Sequence, residues 1–193
     1  MLMNKILYKI SGFLPCKIIK GENGQPYLER YMVARWGKDG QHTLFLHRFL
    51  DSDSDKGIHD HPWDSKSFIV AGGYEEERLI VENGQEKVIK RDVLPLSFNV
   101  IKKDDFHRIV LKKKVPAWTL FYHGPRVKDW GFQYYNFISK KNGSTQIQKG
   151  KFVPAVDKTN VDKSAVEEKW EKTAYKGNKA PRELVDYIYQ KEY

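Results

Sequence analysis

Leu79-Ile80-Val81-Glu82-Asn83-Gly84-Gln85-Glu86-Lys87-Val88-Ile89 decides the fold class. Two β-prone runs flank an Asn-Gly pair. Both central residues of a two-residue hairpin turn must tolerate positive φ, and Asn-Gly does so at least cost. Further short strand-like runs lie on either side: Tyr27–Trp36, His42–Leu50, Ser67–Ala71, Tyr74–Val81, Glu86–Arg91, Ser97–Ile101, Arg108–Lys112, Ala117–His123 and Gly131–Ile138. Gly37-Lys38-Asp39-Gly40, Gly72-Gly73, Pro95, Asp104-Asp105, Pro116 and Gly124-Pro125 separate them. No helical apolar period lasts beyond about two turns in this region. Short strands punctuated this often predict an all-β sandwich or barrel.

The flanks read differently. Residues 1–20 mix apolar and basic side chains and suit either a short helix or an edge strand. After Lys140-Lys141-Asn142-Gly143-Ser144 the composition turns to Lys, Gln, Asp, Thr and Asn, as in a loop. Ser164-Ala165-Val166-Glu167 has the form of a capping box, with Val166, Trp170 and Ala174 on one helical face. Pro181 suits the first turn of a second helix bearing Leu184, Val185 and Ile188. The expected division is an N-terminal extension (1–26), a barrel (27–139), and a polar linker with two short helices (140–193). The helices would dock on the barrel or on a neighbouring subunit, so a homodimer is the candidate assembly.

Composition narrows the function classes. The 193 residues are 40% hydrophobic and 13% aromatic, too apolar for a disordered chain. No apolar run reaches the roughly 18–20 residues that span a bilayer, and Lys5 and Lys9 interrupt the N-terminal apolar residues. A cytoplasmic protein is the expectation. Cys16 is the sole cysteine, which excludes an internal disulfide and a cysteine-rich zinc module. The net charge of +9 permits an anionic partner, although a solubilising lysine-rich surface is the plainer explanation. No nucleic-acid module signature accompanies it, which places nucleic acid last among the partners.

The histidines carry the chemistry. In Gly57-Ile58-His59-Asp60-His61-Pro62-Trp63 an extended backbone puts His59 and His61 on one face, with Asp60 on the other. Two neutral imidazoles so placed suit one divalent metal. The best third ligand is His107, in Asp104-Asp105-Phe106-His107-Arg108, where a turn leads into a strand. His47 shares a face with Thr43, Phe45 and Phe49, as a group assisting catalysis or a packed core histidine. His123 follows Thr119 and Phe121 on one face, as a fourth ligand or acid–base group. Asp64 and Glu75-Glu76-Glu77 are nearby carboxylates. Arg126 and Lys128 beside Trp130 form a solvated loop on the plainer reading and would suit an anion on the other.

These words resemble the cupin superfamily. His59 and His61 match the paired histidines of its first motif, Gly72 or Gly73 its closing glycine, and His107 the histidine of its second motif. Ser65 or Lys66 stands where that family has a glutamate. Lys102, Asp104 and Leu111 replace the second motif's Pro, Gly and Asn. The pattern is similar to three-histidine cupins such as the thiol dioxygenases. It is also similar to small phage and bacterial cupin-like proteins, in the words His59-Asp60-His61-Pro62-Trp63, Gly72-Gly73-Tyr74 and Trp118-Thr119-Leu120-Phe121. The resemblance implies a double-stranded β-helix (jelly roll) over about 27–138 and one divalent ion (iron, zinc, manganese or nickel) on His59, His61 and His107. The expected function is a metal-dependent enzyme, an oxygenase or hydrolase among the options, acting on a small polar or anionic molecule. The alternative is a non-catalytic module that binds a nucleotide, sugar or other metabolite.

Overall fold

A computed structural model describes residues 2–21, 24–53, 57–112, 115–141, 144–155 and 170–182. Helix α1 (Leu2–Ser11) is followed by strands β1 (Cys16–Lys20), β2 (Pro26–Trp36), β3 (His42–Phe49), β4 (Ile58–His59), β5 (Ser65–Ala71) and β6 (Tyr74–Glu82). Then come β7 (Gln85–Val93), β8 (Phe98–Ile101), β9 (His107–Val110), β10 (Ala117–His123), β11 (Gly131–Lys141) and β12 (Ser144–Pro154). One sheet runs β1-β2-β3-β10-β5-β8; the other closes on itself as β11-β12-β7-β6-β9-β4. Every pairing is antiparallel. The fold is an all-β jelly roll.

The Asn-Gly signal is realised as read: Asn83 and Gly84 have φ of 53° and 74°, and Glu82 faces Gln85 across the turn. The N-terminal flank holds both elements that its composition allowed, since α1 is a helix and β1 an edge strand. Strands extend beyond residue 139, because β12 pairs with β11 through Lys141↔Ser144 and with β7 through Ser144↔Ile89. The polar composition that reads as a linker is that of a strand with a solvated face. Of the two expected C-terminal helices, the first turns at Val166 and all of the second after Arg182 lie outside the described residues. Trp170–Lys172 forms a single 3₁₀ turn.

Register shows how apolar and polar residues divide. Leu28, Phe49, Ile69, Tyr74, Val93, Ile109, Leu111 and Ala117 pack into one cluster between the sheets. Ile58, Val88 and Ile147 gather with Leu79, Phe106 and Tyr135 on the opposite face of the closed sheet. A third cluster, Leu7, Cys16, Tyr31, Leu46, Ala71 and Trp118, lies on the outer face of the open sheet beneath α1. Gly72 (φ 78°) makes the turn between β5 and β6, where a Cβ would stand 2.4 Å from the Pro116 carbonyl oxygen.

That outer cluster surrounds a buried ion pair. Arg48 and Glu29 lie 3.3 Å apart with side chains 1% exposed. Tyr31 donates to the same Glu29 oxygen at 2.5 Å, and the Arg48 guanidinium lies over Trp118 and Tyr8. Arg182 donates to the Tyr8 carbonyl, Ser11 Oγ and Tyr31 Oη, fastening the C-terminal segment to α1 and the sheet. Burial, then the charge of Glu29, push the Cys16 thiol up to about 12, which disfavours the thiolate in this packed position. Removing one member of such a pair strands the other charge. Glu29→Ala is therefore expected to cost about 3–5 kcal/mol in urea unfolding. A change below about 1 kcal/mol would show that the network is not needed to hold the flanks down.

Candidate metal centre

The turn into β4 depends on Gly57. Its φ is 131°, and a Cβ there would lie 2.6 Å from the Gln133 carbonyl oxygen, so only glycine lets the chain approach β11 this closely. β4 is two residues long and pairs on both sides, His59↔Phe132 in β11 and His59↔His107 in β9. Two of the three histidines are thus direct cross-strand neighbours. His61 lies just beyond the strand, in an extended stretch that Pro62 favours by disallowing helix at the residue before it.

The three rings form a near-equilateral group, with each pair of centroids 5.0 Å apart. One nitrogen from each ring lies within 4.8 Å of those of the other two. His61 Nε2 and His107 Nε2 are 2.8 Å apart. Two nitrogens held about 2.1 Å from one ion would be about 3.0 Å apart at a right angle and about 3.4 Å at the tetrahedral angle, so this edge would have to lengthen by a few tenths of an ångström to share an ion. As it stands it is the length of an N–H···N hydrogen bond. Burial pushes His59 down to about 4 against the opposing charge of Asp53. Burial, then His59 and His107, hold His61 well below its ordinary value. Neutral rings keep the lone pairs that a metal requires.

Two carboxylates stand behind the rings. Glu76, fully buried, accepts from His107 Nδ1 at 3.0 Å, which leaves Nε2 with its lone pair toward the group. Burial works to raise the Glu76 carboxyl. The hydrogen bond from His107, with that of Asn99 and the charge of Arg78, outweighs it and holds the group well below the usual carboxylate range. Asp53 Oδ2 lies 3.9 Å from His59 Nδ1; the same carboxylate accepts from the Ile109 amide at 2.7 Å and from the Tyr27 hydroxyl.

The other sequence candidates separate. Among the three glutamates of β6, alternation turns Glu76 inward and pairs Glu75 and Glu77 with Lys90 on the other face. Asp64 accepts from the Lys103 amide at 2.9 Å and takes no part in the group. Asp60 points away from the rings, accepting from the Gly131 amide at 2.7 Å and from Lys128 Nζ at 2.5 Å. Lys128 is also paired with Asp104, and Arg126 with Asp129, so these cations are matched within the chain. His47 is buried and stacks on Phe121 at 4.8 Å. Burial, then Arg30, hold it well below its ordinary value. His123 stacks on Trp63 at 4.2 Å, and its Nδ1 lies 2.9 Å from the Gly124 carbonyl oxygen. Sequence reasoning missed Arg30 and Asp53. Arg30 carried a usable signal, a single cation on the apolar face of Leu28 and Met32.

No protein-family model and no curated protein sequence matches the chain. Among solved structures it is similar to hydroxypropylphosphonic acid epoxidase from S. wedmorenis, at 11% identity and TM-score 0.43 over 56% of this chain and 55% of that one. It is similar to an oxalate oxidase solved with glycolate, at 17% identity and TM-score 0.43 over 59% of each chain. It also resembles KdgF from Halomonas sp., at 19% identity and TM-score 0.39 over 53% of this chain and 84% of that one. The chain spans little more than half the length of the epoxidase and the oxidase. Two antiparallel sheets rolled around a three-histidine group make the architecture an all-β jelly roll.

The Asp60 contacts tie the segment bearing the histidines to β11. Asp60→Ala leaves the Gly131 amide without its acceptor and is expected to cost about 1–3 kcal/mol in urea unfolding. An unchanged midpoint would detach Asp60 from the support of the group.

Proposed function

We propose that the chain is a metal-dependent enzyme acting on a small polar or anionic molecule, with one divalent ion on His59, His61 and His107. The supporting observation is the convergence of three imidazoles, His107 buried and His59 and His61 half-buried, whose nitrogens lie within 4.8 Å of one another, one of them oriented by a buried carboxylate. The donor set fits such an ion: three neutral nitrogen ligands leave it its full charge and at least one open position. Imidazole accepts iron, zinc, manganese and nickel alike, so the ligands do not select among them. When bound, the ion would supply Lewis acidity, water activation or a place where substrate and dioxygen meet.

The chain's own residues then have defined tasks. Glu76 holds His107 in one tautomer and orientation, and Asp53, 3.9 Å from His59 Nδ1, places a negative charge near that ring without a hydrogen bond. Trp130 and Phe132 flank His59 and give its side of the group an apolar wall. His47 and His123, on the facing sheet, are the candidates for moving a proton or contacting the substrate. Oxygenation, hydrolysis and isomerisation are the reaction classes that this arrangement serves.

A second reading rests on the 2.8 Å separation of His61 and His107, which a shared proton would satisfy without adjustment. In that case the barrel is a metabolite-binding module. Elemental analysis of protein purified without a histidine tag separates the two. About one metal per chain, lost in a folded His59/His61/His107→Ala variant, is the expected result. Metal-free wild type that takes up none of the four ions would overturn the enzyme reading. Catalysis is read separately, as turnover from a metabolite pool that disappears in the same variant.

Glu76→Gln removes the charge behind His107. It is expected to weaken Co(II) binding, followed by its ligand-field absorption, by about 10–100-fold. Unchanged affinity would show that Glu76 serves only the arginines beside it.

A further inference from the structure

Helix α1 carries its apolar side toward solvent. Its buried residues are Leu7 and Ser11, and Tyr8 lies against the Arg48 and Arg182 guanidiniums. At about 100° per residue, Leu2, Met3, Ile6 and Ile10 then fall within an arc of about 100° on the outward side. Phe13 follows in the turn that ends the helix. These side chains are between 41% and 75% exposed. A surface helix ordinarily buries its apolar arc, and a displayed one marks a binding surface.

The charges beside the strip decide what it meets. Lys5 and Lys9 are exposed one turn apart on its flank. Among the described residues neither has an ion-pair partner. Residues 1–21 hold four lysines and no aspartate or glutamate. Two copies of α1 packed strip to strip would set these lysines against their own equivalents, with no carboxylate of the segment between them. Like-charge contact across an interface is costly. An anionic lipid surface accepts both features at once, since acyl chains take the apolar arc and headgroups face the lysines.

The helix is also held ready for that contact. Arg182 donates to the Tyr8 carbonyl and to Ser11 Oγ, so α1 is fixed on the sheet before it binds and little ordering remains to oppose binding. Its 10 residues span about 15 Å, half the thickness of a bilayer core, so it lies in the interface and does not cross. We propose that α1 and Phe13 form a peripheral membrane-attachment face that seats the chain on an anionic bilayer, with the apolar arc among the acyl chains and Lys5 and Lys9 at the headgroups. Such attachment needs no metal and stands apart from the metal-enzyme reading.

Co-sedimentation of the full chain with vesicles of phosphatidylcholine and phosphatidylserine (about 3:1) tests it. Saturable binding that weakens as salt rises is expected, at least about tenfold tighter than to phosphatidylcholine alone. Lys5→Gln should weaken it about fivefold. Ile6→Asp with Ile10→Asp, at two exposed positions, should abolish it, with urea unfolding confirming the fold. Phe13→Trp should add emission that shifts to the blue when vesicles are added, a readout that does not depend on the double variant. Absence of binding to the mixed vesicles, equal binding to phosphatidylcholine alone, or full binding by the double variant would overturn the proposal. So would a Phe13→Trp emission already blue without lipid. Blue emission at every protein concentration would mean that the chain itself covers the strip, and blue emission that grows with concentration would mean that a second copy does.

Discussion

The pairing of His59 with His107 is the constraint on which the rest depends. β4 contributes two residues, yet it bridges β9 and β11 and so closes the second sheet. The contact that completes the roll also sets two imidazoles side by side, and the extended residues before Pro62 bring the third to the same distance. Gly57 permits the approach to β11, and Asp60 anchors it from the far side of the backbone. Closure and site geometry are therefore one feature.

Burial gives the group its chemical character. His59 and His61 are held neutral, and the Glu76 carboxylate that accepts from His107 offsets the cost of keeping that ring from water. Glu76 is in turn held ionised by a network with Asn99, Arg78 and Arg91. The facing sheet contributes a different environment, with aromatic rings around His47 and His123 and Arg30 as an interior cation. The interior thus grades from an apolar cluster at Phe49 and Ile69 to a polar region where the two sheets present their histidines.

Much of this was legible in the residue order. Asn83-Gly84 specifies its hairpin locally, and alternation placed Phe45, His47 and Phe49 on one face. The His59-Asp60-His61 spacing likewise put two rings together and one carboxylate away from them. What was not legible depends on partners distant in the chain. Three consecutive glutamates look alike until the register of β6 against β9 selects Glu76, and Asp53 gains its place only because β9 passes beside it. β12 was hidden because a strand with one solvated face has the composition of a loop, and its pairing with β7 spans more than fifty residues. The charge excess was also partly misleading at Arg126 and Lys128, since Asp129, Asp60 and Asp104 match them locally.

Convergence of three imidazoles on one ion is read by X-ray absorption at the metal edge of protein loaded with one equivalent of zinc. Three imidazole nitrogens at about 2.0–2.1 Å with one further light atom are expected, falling to two imidazoles in His61→Ala. A shell dominated by oxygen, or one that His61→Ala leaves unchanged, would contradict it.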